Sequence, residues 1–283
     1  MNDAVLQRFD LKGRTVAITG GGGALCGAMA DALGAMGVKV AVLDISLEKA
    51  EQRAQAIKRA GGTARAFACD VLDAAQLRRC RDAVAAAFGP PDMLINGAGG
   101  NDPRGSTSAE FEERSRPEAP AQSFFDLDPA GFRHVFDLNF LGTFLTTQAF
   151  AQSMVAQGRG AIVNISSMSA FMPLTKVAAY SAAKAAVSNF TQWLAVHFSH
   201  AGVRVNALAP GFFMTEQLRF LHVDANTGEL LPRARQVIAH TPMGRYGEPD
   251  DLIGALVWLL SDASSFVTGV VVPVDGGFSS YSI

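Results

Sequence analysis

The chain has 283 residues, 49% of them hydrophobic and 18% charged, with a formal net charge of -2. This is enough apolar material for one large core, and it fits a single domain over residues 1–283 better than two small ones. There is no basic excess to hold a phosphate backbone, which excludes nucleic acid as a partner, and no apolar stretch is long enough to span a bilayer.

The N-terminal residues Met1 to Asp10 lack the basic head and apolar run of a secretory signal. The three cysteines, Cys26, Cys69 and Cys80, have no metal-site spacing and read as reduced thiols of a cytoplasmic protein. In chain order, short β-rich runs alternate with longer helical patterns. A first strand, Thr15–Thr19, enters a glycine-rich turn and then a helix over Gly27–Met36; Lys39–Asp44 and Leu47–Ala60 repeat the unit. Further strands are expected at Arg65–Asp70, Met93–Asn96, Ala161–Ser166, Val203–Ala209 and Val270–Val274, with a long helix at Ala178–Phe198. Most strands are nearly continuous apolar runs, as strands covered on both faces are. The alternation predicts an α/β fold: one doubly wound Rossmann domain with a seven-stranded parallel sheet and helices on both faces. Pro273 conflicts mildly with this, because proline belongs at sheet edges. Two long irregular segments, residues 99–123 and 212–248, break the rhythm after strand C-termini, where open α/β sheets bind ligands, and are expected to wall a substrate pocket.

The turn Gly20-Gly21-Gly22-Gly23-Ala24-Leu25-Cys26-Gly27 lets backbone N–H groups approach a pyrophosphate, and the helix that follows favours its charge. Asp44 ends the second strand, where a carboxylate accepts from ribose hydroxyls and repels a 2'-phosphate. No Arg or Lys directly follows it, so NAD is expected over NADP. Asp44 could equally cap the next helix. Tyr180 and Lys184 are four residues apart in a helical pattern and share a face. A neighbouring ammonium, with the charge of an oxidised nicotinamide, would lower the phenol from its usual value near 10 and let it exchange a proton with a substrate hydroxyl.

At this point the sequence resembles the short-chain dehydrogenase/reductase family over nearly its whole length. Thr19 and Gly20 match its glycine motif, whose later two glycines are here Ala24 and Cys26. Asp70-Val71 resembles the pair beside the adenine. Asn96-Gly97-Ala98-Gly99 resembles the family's Asn-Asn-Ala-Gly, and Pro210-Gly211, Phe213 and Thr215 resemble the segment that holds the nicotinamide carboxamide. The resemblance implies a cofactor site of Gly20, Gly22, Gly23, Leu25, Asp44, Asp70, Val71, Asn96, Ala98, Gly99, Tyr180, Lys184, Pro210, Gly211, Phe213 and Thr215. It also implies a catalytic set of Asn139, Ser167, Tyr180 and Lys184. Ser166 and Ser169 rival Ser167 by type, and the family interval to Tyr180 selects Ser167. A homotetramer or homodimer is implied too, with Phe136–Phe150 and Ala182–Phe198 as plausible dimerising surfaces.

Within the family the resemblance runs to the bacterial sugar-acid branch. The signs are Ser166–Phe171, Phe212–Leu231 with Asn226-Thr227-Gly228, and the tail Asp275–Ile283. This implies interconversion of a secondary alcohol and a ketone on a sugar acid such as D-mannonate or D-fructuronate. An aldonate needs a cation for its carboxylate, which makes Arg104, Arg233 and Arg245 candidates. Ser169, Asn101 and His222 are candidates for polar substrate contacts. The competing expectations are a dehydrogenase of another polyol or ketone, such as a gluconate, and a catalytically silent NAD-binding protein.

Overall fold

The computed structural model describes residues 3–114, 121–215, 218–219, 222–225 and 227–282. Asn226 and residues 115–120 of the first irregular segment lie outside the described residues, as does the terminal Ile283. Seven strands form one parallel sheet: β1 Thr15–Thr19, β2 Lys39–Asp44, β3 Thr63–Ala68, β4 Met93–Asn96, β5 Gly160–Ile165, β6 Val203–Pro210 and β7 Val271–Val274. Their spatial order is β3-β2-β1-β4-β5-β6-β7. The order reverses between β1 and β4, and the crevice at that switch point is where such sheets bind ligands.

The helices are α1 Asp3–Gln7, α2 Ala24–Ala35, α3 Leu47–Arg59, α4 Ala74–Phe88, α5 Pro129–Phe136, α6 Gly142–Gln157, α7 Ala178–His197, α8 Pro232–His240 and α9 Ile253–Leu260. Two apolar cores cover the two sheet faces. One joins α2, α3 and α9 to the sheet through Met29, Leu33, Ile57, Leu256 and Leu260. The other joins α4, α6 and α7 through Leu77, Val84, Phe150, Met154 and Leu194. The central strands β1 and β4 are buried at every position, which is why they read as unbroken apolar runs.

Some boundaries differ from expectation. β3 covers Thr63–Ala68 rather than Arg65–Asp70. Asp70 folds its carboxylate back onto the N–H of Leu72, which makes a turn and ends the extended run. Helix α2 begins at Ala24, before Gly27. Gly27 therefore lies inside the helix, where the Arg53 guanidinium of α3 crosses over it. Pro273 sits on β7, an edge strand, where a missing N–H breaks no ladder.

Buried polar side chains tie the sheet to the helices that carry the site. Asn96 Nδ2 donates to Asn164 Oδ1 at 2.8 Å and to Thr147 Oγ1 at 2.9 Å, and Asn164 Nδ2 donates to Thr191 Oγ1 at 2.9 Å. This chain joins β4, β5, α6 and α7. Replacing Asn164 by Ala strands buried partners on both sides and is expected to lower stability by about 1–3 kcal/mol. Urea denaturation should show this as a lower midpoint with an unchanged slope.

Candidate functional site

The crevice between β1 and β4 is built from bare backbone. Gly20 has φ +66°, and a Cβ there would meet Ala98 Cα at 3.0 Å and Gly97 O at 3.1 Å. A Cβ on Gly22 would fall 2.7 Å from Lys49 Cβ and 3.0 Å from Asp44 Oδ2. Thr19 Oγ1 holds the other lip, accepting from the N–H groups of Gly97 at 3.1 Å and Ala98 at 3.2 Å. α2 starts after Gly23 with no side-chain cap, so its first N–H groups, Leu25 among them, remain for an anion. Asp44 accepts from Gly22 N at 3.1 Å and Ser46 N at 3.0 Å. The cap of α3 is Ser46, accepting from Lys49 N, so Asp44 is left at the lip of the crevice. A glycine cradle, an uncapped helix start and a carboxylate at the end of β2 together fit a dinucleotide.

The substitution at Cys26 has a local explanation. The buried Cys26 thiol occupies the space that a Cβ on Gly97 would need, so a side chain gained on α2 is matched by one missing after β4. Burial pushes that thiol up to about 12, which leaves it an inert packing group.

Asn139 lies in a π-turn, Asp137–Leu141, between α5 and α6, a distortion that often marks functional positions. Its Nδ2 donates to Gly100 O at 2.7 Å and Val135 O at 2.8 Å, and its Oδ1 accepts from Gly100 N at 3.3 Å. Ser167 opens a tight turn after β5, its Oγ accepting from Ser169 N at 3.2 Å. Ser166 faces the other way: its hydroxyl donates to Lys184 O and pairs with Ser188 Oγ at 2.7 Å. The Ser169 hydroxyl is buried with no hydrogen-bond partner among the described residues.

Tyr180 and Lys184 stand on the first turns of α7. Lys184 Nζ lies 5.5 Å from the centre of the Tyr180 ring and donates to Ile165 O at 2.8 Å. A Cβ on Gly99 would sit 2.5 Å from Asn139 Oδ1 and 3.3 Å from Lys184 Nζ, so these two groups meet over the glycine. The structure thus brings Asn139, Ser167, Tyr180 and Lys184 together. Burial pushes the Tyr180 phenol up, against a smaller opposing effect of the Ser167 hydroxyl, and burial holds the Lys184 ammonium down at about 8. Without a nicotinamide charge, desolvation therefore sets the direction for both groups.

Several other expected residues have groups already engaged within the chain. Asn96 spends its amide nitrogen on Thr147 and Asn164, and the Phe213 ring is buried in the core against Gly247. Gly211 N donates to Val274 O at 2.9 Å, and Thr215 Oγ1 accepts from Leu218 N at 3.2 Å. Asp70 and the buried Val71 follow β3, with Val71 packed on Gly142.

The three arginines already hold carboxylates. Arg104 pairs with Asp102 at 2.6 Å and Arg245 with Asp251 at 2.6 Å, both substantially exposed. Arg233 pairs with Glu110 at 2.6 Å, a half-buried bridge between the two irregular segments that sequence reasoning did not anticipate. Beside it, His222 Nδ1 and Tyr246 Oη are 2.7 Å apart, with the imidazole held down by burial and by the Arg233 charge. Asn101 donates to Ser106 Oγ at 3.0 Å, within its own loop.

The lowered Lys184 value carries a stability consequence. Below about 8 the lysine is charged both folded and unfolded, and its burial cost is felt in full. Between about 8 and the usual lysine value the unfolded chain binds the extra proton, so stability rises with pH. Without dinucleotide, the wild type should therefore gain stability relative to Lys184→Met as the pH is raised through that window. Parallel thermal melts of the two proteins check the sign.

Comparison with known proteins agrees with this geometry. The family model described as enoyl-(acyl carrier protein) reductase matches residues 23–279. An uncharacterized oxidoreductase of Bacillus subtilis, UxuB, is 50% identical over 274 residues, covering 96% of this chain and 97% of that one. The D-threitol dehydrogenase of Mycolicibacterium smegmatis is 34% identical, covering 96% and 95%. A crystal structure from Haemophilus influenzae, provisionally named a D-mannonate oxidoreductase and holding NAD, superposes with a TM-score of 0.92 at 46% identity over 99% of each chain. The chain belongs to the short-chain dehydrogenase/reductase family, the NAD(P)-dependent oxidoreductases that interconvert alcohols and ketones.

Proposed function

We propose that this protein is an NAD-linked dehydrogenase of a sugar acid, of the D-mannonate/D-fructuronate type. The observation that carries the reading is the junction of Asn139, Ser167, Tyr180 and Lys184 beside a dinucleotide cradle whose ribose end carries Asp44. The likeness to the Haemophilus protein over the full chain supports the choice of substrate. Asp44 supports NAD over NADP, because a 2'-phosphate would meet its carboxylate.

When bound, the nicotinamide supplies the site that accepts or returns the hydride. The chain's own residues do the rest. Ser167 Oγ donates to the reacting oxygen as charge builds on it. Tyr180 Oη takes the hydroxyl proton in oxidation and returns it in reduction. Lys184, fixed by the Ile165 carbonyl, keeps a cation beside the ring, and Asn139 braces the Gly99–Gly100 backbone next to it. The two irregular segments wall the substrate, joined by Arg233 and Glu110. A substrate carboxylate reaches Arg104, Arg233 or Arg245 only by exchange with Asp102, Glu110 or Asp251. Ser169, whose buried hydroxyl has no hydrogen-bond partner among the described residues, donates its backbone N–H to Ser167 Oγ.

We read the whole chain as one cytoplasmic domain that assembles as a homodimer or homotetramer. Support for assembly comes from the aromatic row Phe140, Phe144, Phe190 and Trp193 on α6, α7 and the π-turn, with Trp193 56% exposed.

Absorbance at the reduced-cofactor band, followed over a panel of aldonates, D-gluconate and alditols with NAD and with NADP, tests the reading. NAD reduction by D-mannonate is expected, and Tyr180→Phe should lower turnover by about 10²–10⁴ while still binding NAD. Turnover of alditols alone would replace the sugar acid with a polyol, and silence across the panel would leave only a nucleotide-binding protein.

A further inference from the structure

Among the described residues, Lys176 is the one non-glycine residue with positive φ, at +73°. Side chains avoid this left-handed conformation because Cβ crowds the following carbonyl, whereas glycine adopts it freely. Lys176 lies between the turn of Ser167–Ala170 and the start of α7, four residues before Tyr180. The loop around it is pinned from both sides. Leu174 N donates to Ser181 Oγ at 3.3 Å, and the Lys176 carbonyl accepts from Thr107 N, in the first irregular segment, at 2.9 Å. Lys176 therefore stands where the serine turn, the catalytic helix and the first pocket wall meet.

Its charge is unassigned as well as its backbone strained. The residue is half-buried, yet among the described residues its ammonium has neither a hydrogen bond nor an ion pair. Arg104, Arg233 and Arg245 contrast with it, each holding an acidic side chain of the protein. Strain of this kind persists at sites where the side chain earns its place through function. The cation nearest the catalytic tyrosine along the loop, strained and without a partner, is suited to take an anion from outside.

We propose that Lys176 recognises the carboxylate of the sugar acid through a charge-assisted hydrogen bond from Nζ, and that it sets the preference of the pocket for aldonates over neutral polyols. The inference rests on the sugar-acid reading above and deepens it: the arginines hold the walls in place, and the lysine supplies the free positive charge.

The test is steady-state kinetics with NAD on the wild type, Lys176→Gly, Lys176→Met and Lys176→Arg. The ligands are the best aldonate of the panel and the neutral alditol of the same carbon skeleton, the latter measured as substrate or competitive inhibitor. Lys176→Gly suits the positive φ and should melt no lower than the wild type. Both uncharged variants should raise the aldonate KM by about tenfold or more with a smaller change in kcat, leave the alditol constant in place, and be rescued by Lys176→Arg. An unchanged aldonate KM in the two uncharged variants, or an equal loss on aldonate and alditol, overturns the assignment of Lys176 while the sugar-acid reading stands. A wild type that turns over no aldonate overturns both.

Discussion

The site depends on one buried bond: Lys184 Nζ donating to the carbonyl of Ile165 at the C-terminal end of β5. It fixes α7 to the C-terminal end of β5, the strand next to β4 and the crevice between β1 and β4. Around it the tolerances are small. Gly99 can carry no side chain because Asn139 and Lys184 fill the space, and Ser166 reaches the backbone of Lys184 from the adjoining residue of the chain. An ammonium held in such surroundings costs stability at neutral pH, and the lowered Lys184 value records that cost. Replacing the solvent of a charged group by one fixed carbonyl is what gives the lysine a defined position beside the tyrosine.

Much of this was legible in the sequence, because the features involved are periodic or local. The continuous apolar runs mark the buried parallel strands, and the i, i+4 spacing of Tyr180 and Lys184 puts them on one face of α7. Two boundaries were not legible, since they are set by tertiary contact: Gly27 reads as a turn until Arg53 is seen crossing it, and Asp70 reads as strand until its side chain turns back. The effect of burial on Tyr180 was hidden for a similar reason. Spacing reveals that a cation is near, but desolvation depends on everything else packed around the ring. A left-handed lysine leaves no sequence signal at all, because only Gly or Asn would announce that backbone.

The arginines of the irregular segments show the limit of reading charge by residue type. Three guanidiniums in the segments 99–123 and 212–248 invite assignment to an acidic substrate, yet each has found an acid within the chain. The Arg233–Glu110 bridge lies at the join between segments that are far apart in sequence, next to the buried His222–Tyr246 pair. Half-buried, it ties one segment to the other.

The complementary fit of Cys26 and Gly97 also constrains how such a crevice can change over time. A thiol arriving on the helix while position 97 still bears a methyl or larger group would be forced into occupied space. Loss of the side chain at 97 first leaves only a small void, which a protein tolerates more readily than overlap. The passable route therefore runs through a looser intermediate. Once the sulfur has settled, the way back is barred unless the helix residue reverts before its neighbour across the cleft.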